Sequence, residues 1–488
     1  MMSEQILVNV TPFETRVAIM EQGTLQEVHI ERSNQRGKVG NVYLGKVVRV
    51  LPGMQSAFID IGLEKAAFIH IADLRENRIA RNNGLPQQQI EKILFEGQTI
   101  MVQVIKDAIN NKGARLSNQI SIAGRMLVYI PFDSHIGVSQ KIESETERDR
   151  LKEKVMQLMH PDEKGGYIIR TQAEQANDEE ILRDIHYLNL RWKDIQKSLQ
   201  TQAAPCLIYQ DLNLLERVMR DMVEPETLSV EVDSRIAFQH LTKWSTIYTP
   251  EIVDKAKYYS GSKPLFDISN IEDEINTALS RRVNLKSGGY LVIDQTEALT
   301  SIDVNTGGFI GWRNFNDTIF KTNLEASIEI ARQLRLRNLG GIIIIDFIDM
   351  DNADHQTAVL DELKKALSKD RTRTTINGFS ALGLVEMTRK RMRDSLATLL
   401  TEPCPTCDSR GYIRTAKTIA YTIMREILRE AKQFNPKEFR LILSPAVIDL
   451  FLDEESNFLA MLDDFIGKPI SLEVDNTYTQ EMYDIILL

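Results

Sequence analysis

In the run Ala298-Leu299-Thr300-Ser301-Ile302-Asp303-Val304-Asn305, polar side chains recur at every second position. In a strand, that period puts Ser301, Asp303 and Asn305 on one face and Ile302 and Val304 on the other. Asp346 closes the apolar run Ile342-Ile343-Ile344-Ile345. An ionised group at the edge of such a strand is costly unless paired or metal-bound. The carboxyl ends of strands are also where α/β folds place ligands. Two carboxylates beside an amide suit Mg2+, which prefers hard oxygen ligands and completes its shell with water and phosphate. Such an ion can activate water or neutralise charge on a phosphate as a bond breaks. A second reading stays open: Asp349, Asp351 and Asp354 lie nearby, and Asp and Asn are common turn and cap residues.

Three further groups carry chemistry. Cys404-Pro405-Thr406-Cys407 has zinc-ligand spacing but supplies only half of a tetrahedral thiolate site. The nearest upstream histidine is His355 and none lies downstream, so the remaining ligands are not local; a pair from each of two chains could complete the site. The rival redox reading requires the motif at a thioredoxin-like strand–helix junction. Cys206, in an apolar run, reads as a buried structural thiol. Tyr43, Phe58 and Phe68 fall on short strands, and Lys112 falls at a nearby turn. These aromatics either stack unpaired bases or fill the core of a small barrel. Arg170-Thr171 follows Gly165-Gly166. Arginine offers a bidentate fork to phosphate and threonine adds a hydroxyl.

The elements that must position these groups follow from periodicity. Residues 5–31 alternate around a Gly23-Thr24 turn and read as a hairpin. Short strands punctuated by Gly40, Gly45, Gly53, Gly62, Gly97 and Gly113 over 36–118 suit a barrel, with 75–89 as an insertion loop. A helix near 145–160 precedes the Gly-Gly turn. A helix-rich stretch covers about 178–284, broken by a strand near 228–232. Beyond it, strands at 289–294, 298–305 and 341–347 alternate with helices ending near 340 and spanning 354–369. That order predicts an α/β layer with a mixed sheet. A helix near 415–432 and a short β-α-β tail close the chain.

At 488 residues several domains are expected, and the composition is that of a globular protein. Nothing approaches a membrane span of ~20 apolar residues. The N-terminus lacks the pattern of a signal peptide, and three cysteines suit a reducing compartment, so the cytoplasm is expected. The net charge of −10 argues against nucleic acid, but phosphate binding depends on local charge. From 371 to 417 there are nine basic against four acidic residues, a local excess of five.

The acidic run 298–306, the run Asp346-Phe347-Ile348-Asp349-Met350, and Thr322-Asn323-Leu324-Glu325-Ala326 and 330–337 between them resemble the ribonuclease E/G family. The resemblance extends in order over nearly the whole chain. It implies Mg2+ on Asp303 and Asp346, Asn305 orienting Asp303, and in-line attack of water on an RNA phosphodiester that leaves a 5′-phosphate and a 3′-hydroxyl. It implies an S1-type OB-fold at 36–118 with Phe58, Phe68 and Lys112 on RNA. It also implies a 5′-end sensor at 119–211, where Arg170, Thr171 and the amides of Gly124 and Val128, with Arg373, grip a 5′-monophosphate. Gln140-Lys141 departs from the arginine pair common in the family. The resemblance further implies a ribonuclease H-like structural subdomain at 1–35 and 212–280, which includes Lys263-Pro264-Leu265-Phe266. It implies a DNase I-like catalytic subdomain at 281–400 and a zinc link at 401–415 joining a homodimer through Cys404 and Cys407. The small α/β domain is expected at 416–488. After Cys407 the chain has Asp408-Ser409-Arg410-Gly411, keeping only the later of the family's glycines. The implied work is endonucleolytic cleavage of single-stranded, A/U-rich RNA, including the 5′ end of 16S rRNA precursors and mRNA in decay. Dimers would pair into tetramers or stay separate, and the end at Leu488 leaves no degradosome scaffold tail. Two rivals stand beside this reading: a non-catalytic RNA-binding assembly protein, and an exonuclease.

Overall fold

The computed structural model describes residues 4–34, 36–77, 88–108, 113–140, 142, 144–160, 163–174, 176–308, 315–391 and 393–488. Lys112 and Lys141 lie outside the described residues. The chain divides into two units, Met1–Leu396 and Ala397–Leu488.

In the first unit the expected N-terminal hairpin gains a strand: Glu4–Val10, Glu14–Glu21 and Thr24–Arg32 form an antiparallel meander, with Gly23 in its second turn. It is completed by strands more than 200 residues away. Thr227–Val232 pairs in parallel with Glu4–Val10, and Ala256–Tyr258 pairs with Thr227–Val232. Residues 36–118 contain a closed five-stranded barrel in the order Val42–Leu51, Ser56–Asp60, Ala67–His70, Arg115–Ser117, Thr99–Lys106. Gly45 does not break a strand, as its residue type suggested, but sits inside one. A Cβ there would stand 2.6 Å from the Ile59 side chain, so the closed wall leaves room only for glycine. Cys206–Tyr209 attaches outside the closed ring, beside Val42–Leu51, and Cys206 is half-buried rather than buried.

A four-stranded sheet follows, in the order Ile136–Val138, Gly166–Ile169, Leu127–Ile130, Ile122–Ala123. Helices Glu145–Leu158 and Asp178–Thr201 share its core through Leu151, Val155, Ile181 and Leu188.

The third sheet has six strands, in the order Arg282–Asn284, Tyr290–Gln295, Leu299–Asn305, Gly341–Asp346, Leu384–Arg389, Thr374–Phe379. Helix Phe315–Leu336 carries the chain across from Leu299–Asn305 to Gly341–Asp346, so those two strands run parallel. Ile302, Val304, Ile343, Ile345, Val385 and Met387 pack with this helix and with Ala353–Leu367 in one core. The alternate side chains, among them Asp303, Ile342, Asp346 and Glu386, are exposed. One face of the sheet is thus filled and the other open.

Polar contacts lock the N-terminal sheet to this six-stranded layer. Arg332 donates to the Leu25 carbonyl at 3.0 Å, and Arg335 donates to Gln26 Oε1 at 2.7 Å. His29 lies between Arg393, 2.6 Å from Nδ1, and Glu27, 3.1 Å from Nε2. Burial and the Arg393 charge push the His29 imidazole down to about 4, against the pull of Glu27. Deep in the same layer, Arg389 pairs with Asp370 at 2.6 Å, both buried.

The second unit has three strands in the order Ile470–Val474, Phe439–Leu443, Tyr483–Leu487. Helices Ala416–Gln433, Pro445–Leu452 and Ser456–Ile466 close its core. The expected β-α-β tail therefore gains a helix and a third strand. Among the described residues no helix is long and apolar enough to cross a membrane.

The His29 contact has a pH signature. An imidazole whose pKa falls on folding binds protons more readily in the unfolded chain, so stability is full above pH ~6.5 and declines as pH drops toward 4. Between pH 7 and 5 this group alone should remove about 2 kcal/mol. Urea midpoints of the parent and of His29→Gln at both pH values check this; the variant should show a flatter profile.

Candidate active site

Strand register decides what the open face can do. Asp303 and Asp346 are direct partners across the parallel pair, one strand spacing of roughly 4.8 Å apart. Asn305 lies two residues further on the same face, and its amide nitrogen donates to Asp303 Oδ2 at 2.8 Å. That contact holds one carboxylate oxygen; among the described residues the other has no partner. The Asp346 carboxyl is raised above its ordinary range by partial burial and by the negative charges of Asp303 and Asp349. A cation between the two aspartates would relieve that repulsion. Among the described residues no cluster of three or more acidic, histidine or cysteine side chains is gathered for a metal. Two carboxylates nonetheless fit Mg2+, which usually keeps several waters and takes one or two carboxylates.

Two residues of the intervening helix hold the loops around this pair. Asn323, fully buried, donates to the Ile348 carbonyl at 2.8 Å and accepts from the Ile348 amide at 3.1 Å. It thereby fixes the turn that leaves Asp346. Glu325 accepts from the amides of Lys286 and Ser287 at 2.6 and 3.1 Å, fixing the turn before Tyr290–Gln295. The sequence marked the run 322–326 without showing why these residue types recur there; a polar residue facing a helix's buried side was the available signal.

On the barrel, Phe58 and Phe68 are direct cross-strand partners. Phe58 is exposed and Phe68 half-buried. Tyr43, grouped with them from sequence, is instead in the barrel core. His70 accepts the Ala72 amide through Nδ1 and caps a turn.

Arg170 meets Gly124 directly, donating to its carbonyl at 2.5 Å and to Asp221 at 2.8 Å. The loop that presents Gly124 is pinned by buried Asp184, which accepts the amides of Arg125, Met126 and Leu127 at 3.0, 2.9 and 2.8 Å. A Cβ on Gly124 would lie 2.5 Å from both Asp184 oxygens. Val128 follows on the strand opposite Ile168. Thr171 lines a cavity of 490 Å³ together with Arg125, Glu224 and Lys255. Arg373 is exposed, and its neighbour Arg371 ties that segment to the cavity wall through the Met222 carbonyl and Glu224.

Cys404 and Cys407 lie in a turn, with no strand feeding it, ahead of helix Ala416–Gln433. This is not the strand–helix junction that the redox reading required. The backbone amides of Cys407 and Thr406 point at the Cys404 sulfur and lower its thiol below the ordinary range. A thiolate supported by amides suits a metal ligand. Asp408 and Ser409 adopt left-handed backbone, with φ of 48° and 61°, where glycine would fit without strain.

Among the described residues, most of the basic excess between 371 and 417 is engaged within the fold. Arg371, Arg389, Arg410, Arg414 and Lys417 are all in ion pairs, and Arg391 and Arg393 donate to backbone carbonyls.

Comparison with known proteins bears on these sites. Residues 121–392 match the ribonuclease E/G family, residues 36–118 the S1 RNA binding domain, and residues 403–487 the RNase E/G thioredoxin-like domain. The chain belongs to the ribonuclease E/G family. It is 49% identical to ribonuclease G of Escherichia coli (strain K12), over all of both chains. It is 48% identical to ribonuclease G of Haemophilus influenzae, over 99% of each. With ribonuclease E of Escherichia coli (strain K12) the identity is 37%, over 93% of this chain and 43% of that protein. The ribonuclease E/G match spans Asp303, Asn305 and Asp346 as well as the Arg170 loop.

The Asn323 clamp yields a prediction. Asn323→Leu strands the Ile348 amide and carbonyl and should cost about 2–4 kcal/mol. Because the turn after Asp346 loosens, kcat on RNA should fall at least tenfold in order of magnitude, with a smaller change in KM. Urea denaturation and steady-state cleavage together check this.

Proposed function

We propose that this endoribonuclease cuts RNA at the carboxylate pair, with Asp303 and Asp346 holding Mg2+ and Asn305 orienting Asp303. The observation that carries the reading is the register that sets two aspartates side by side on an open face, with the amide bonded to one of them. When bound, the ion would lower the pKa of a water and offset charge on the phosphate. The chain's own part is positional. Asn305 keeps one Asp303 oxygen occupied, so the other is aimed. The closed apolar face beneath keeps both strands rigid, and the open face admits an extended strand of RNA. Hydrolysis leaves a 5′-phosphate and a 3′-hydroxyl.

The substrate is single-stranded, A/U-rich RNA. Phe58 and Phe68 offer adjacent outward rings on which unpaired bases stack, and Lys112 adds a phosphate contact. Arg170, Thr171 and the amides of Gly124 and Val128, with Arg373, take a 5′-monophosphate; for Arg170 to do so, phosphate must compete with Asp221. Gln140-Lys141 retunes that contact. The Cys404–Cys407 pair binds half of a Zn2+ shared with a second copy, making a homodimer that can pair further into a tetramer. The kinship with ribonuclease G supports work in the cytoplasm on rRNA precursors, including the 5′ end of 16S rRNA, and on mRNA in decay.

Two measurements test this. A labelled A/U-rich RNA with a 5′-monophosphate, in Mg2+, should be cut internally by the parent. The Asp303→Asn, Asp346→Asn variant should lose at least three orders of magnitude in rate, and a 5′-hydroxyl substrate should react more slowly. Release of mononucleotides would mark an exonuclease, and binding without cutting would mark an assembly protein. For the zinc link, Cys404→Ser, Cys407→Ser or a strong chelator should convert dimers to monomers in light scattering; an unchanged mass would exclude the shared ion.

A further inference from the structure

Among the described residues, the open face of the catalytic sheet carries a cation, Arg282, that the reading above does not use. Across the sheet, Arg282 is the direct partner of Val292, Val292 of Asp303, and Asp303 of Asp346. Side-by-side partners project to the same face, so Arg282 stands in the same cross-strand row as both aspartates. It is two strand spacings from Asp303, roughly 9.5 Å. The next row sets Asn284 beside Tyr290 and Tyr290 beside Asn305.

This arginine is seated rather than loose. Its guanidinium carbon lies 3.8 Å above the centre of the Tyr290 ring, and Nε donates to Asn284 Oδ1 at 3.0 Å. The ring and the amide fix the plane of the fork. Arg281 next to it is neutralised by Asp294 at 2.5 Å, whereas among the described residues Arg282 faces no carboxylate. Among the described residues the two terminal nitrogens of Arg282 have no hydrogen-bond partner, and the side chain is exposed. A face that bears Asp303, Asp346 and Glu386 repels a polyanion. A fixed cation in the same row offsets that where the chain of phosphates continues past the cut.

We propose that Arg282, seated on Tyr290 and Asn284, binds a phosphate adjoining the scissile one and so sets the line along which RNA crosses the sheet. The assignment rests on the reading that the scissile phosphate lies at Asp303 and Asp346. The planar fork matches phosphate oxygens bidentately, and the aromatic ring under it holds the fork in that geometry before RNA arrives.

The test separates this inference from the catalytic reading by measuring binding apart from cutting. In the Asp303→Asn, Asp346→Asn background, affinity for a short A/U-rich RNA is measured against salt concentration, with and without Arg282→Gln. Loss of one phosphate contact should lower the slope of log K against log salt by about 0.7. With Asp303 and Asp346 intact, Arg282→Gln should lower kcat/KM about tenfold, mainly through KM, and Arg282→Lys should restore the salt slope but only part of the affinity. A series of RNAs, each with one neutral methylphosphonate linkage, should show one position next to the cut that costs the parent affinity and leaves Arg282→Gln indifferent. Tyr290→Leu should weaken binding without removing the charge-dependent slope. Equal salt slopes in parent and Arg282→Gln, or the same methylphosphonate penalty in both, would overturn the assignment. If the parent binds with an Arg282-dependent slope but does not cut, Arg282 is a phosphate contact, and the catalytic reading falls together with the place beside the cut.

Discussion

Two like charges stand side by side on neighbouring strands, and the rest of the first unit is arranged to keep them there. Partial burial and the negative charge of Asp303 both raise the Asp346 carboxyl above its ordinary range, so the pair is unfavourable as it stands. The sheet holds them because a slip of one residue would turn every side chain of a strand to its other face. Such a slip would expose Ile302, Val304, Ile343 and Ile345, all buried against two helices. The apolar side of the sheet thus enforces the unfavourable geometry on its polar side. Repulsion built in this way becomes affinity for whatever cation neutralises it.

The helix that makes the two strands parallel also tunes the ends of the site. It presents Asn323 to the turn after Asp346 and Glu325 to the turn before Tyr290–Gln295. Its far end reaches the N-terminal sheet through Arg332 and Arg335. The N-terminal hairpin, remote in sequence from the aspartates, therefore buttresses the helix that sets their register. That gives residues 4–32 a mechanical part in the site.

How much of this was legible beforehand differs between kinds of feature. Alternation along 298–305 and the apolar run ending at Asp346 exposed both strands and the faces of their side chains, because period 2 is a local property. The barrel, the N-terminal hairpin and the crossover helix were legible for the same reason. Register was not legible, since it is settled by packing between strands about 40 residues apart. Nor was the fate of Tyr43, because alternation does not say which face of a short barrel strand turns inward. The strands Cys206–Tyr209, Ala256–Tyr258 and Arg282–Asn284 were lost in a stretch read as helical. Each is only three or four residues long, too short for its alternation to stand out, and Cys206–Tyr209 is held by a strand remote in sequence while Arg282–Asn284 pairs with the strand that follows it. Missing Arg282–Asn284 also hid the cation that the register brings into line with the aspartates.

The arginines show why a count of charges misleads here. A run of basic residues beside an RNA site suggests a surface for phosphate, yet most of those between 371 and 417 hold carbonyls and carboxylates of the fold. Arg389 is the extreme case, buried against Asp370 and the Leu339 carbonyl. Burying a guanidinium costs several kcal/mol unless its donors are met, so a fold that uses arginine as internal mortar must supply carboxylates to match. The acidic balance of −10 fits such pairing and says little about affinity for RNA. What matters for a polyanion is the small remainder of cations left without a carboxylate and held in fixed positions. Arg282 belongs to that remainder: its ring and amide partners orient the charge without cancelling it.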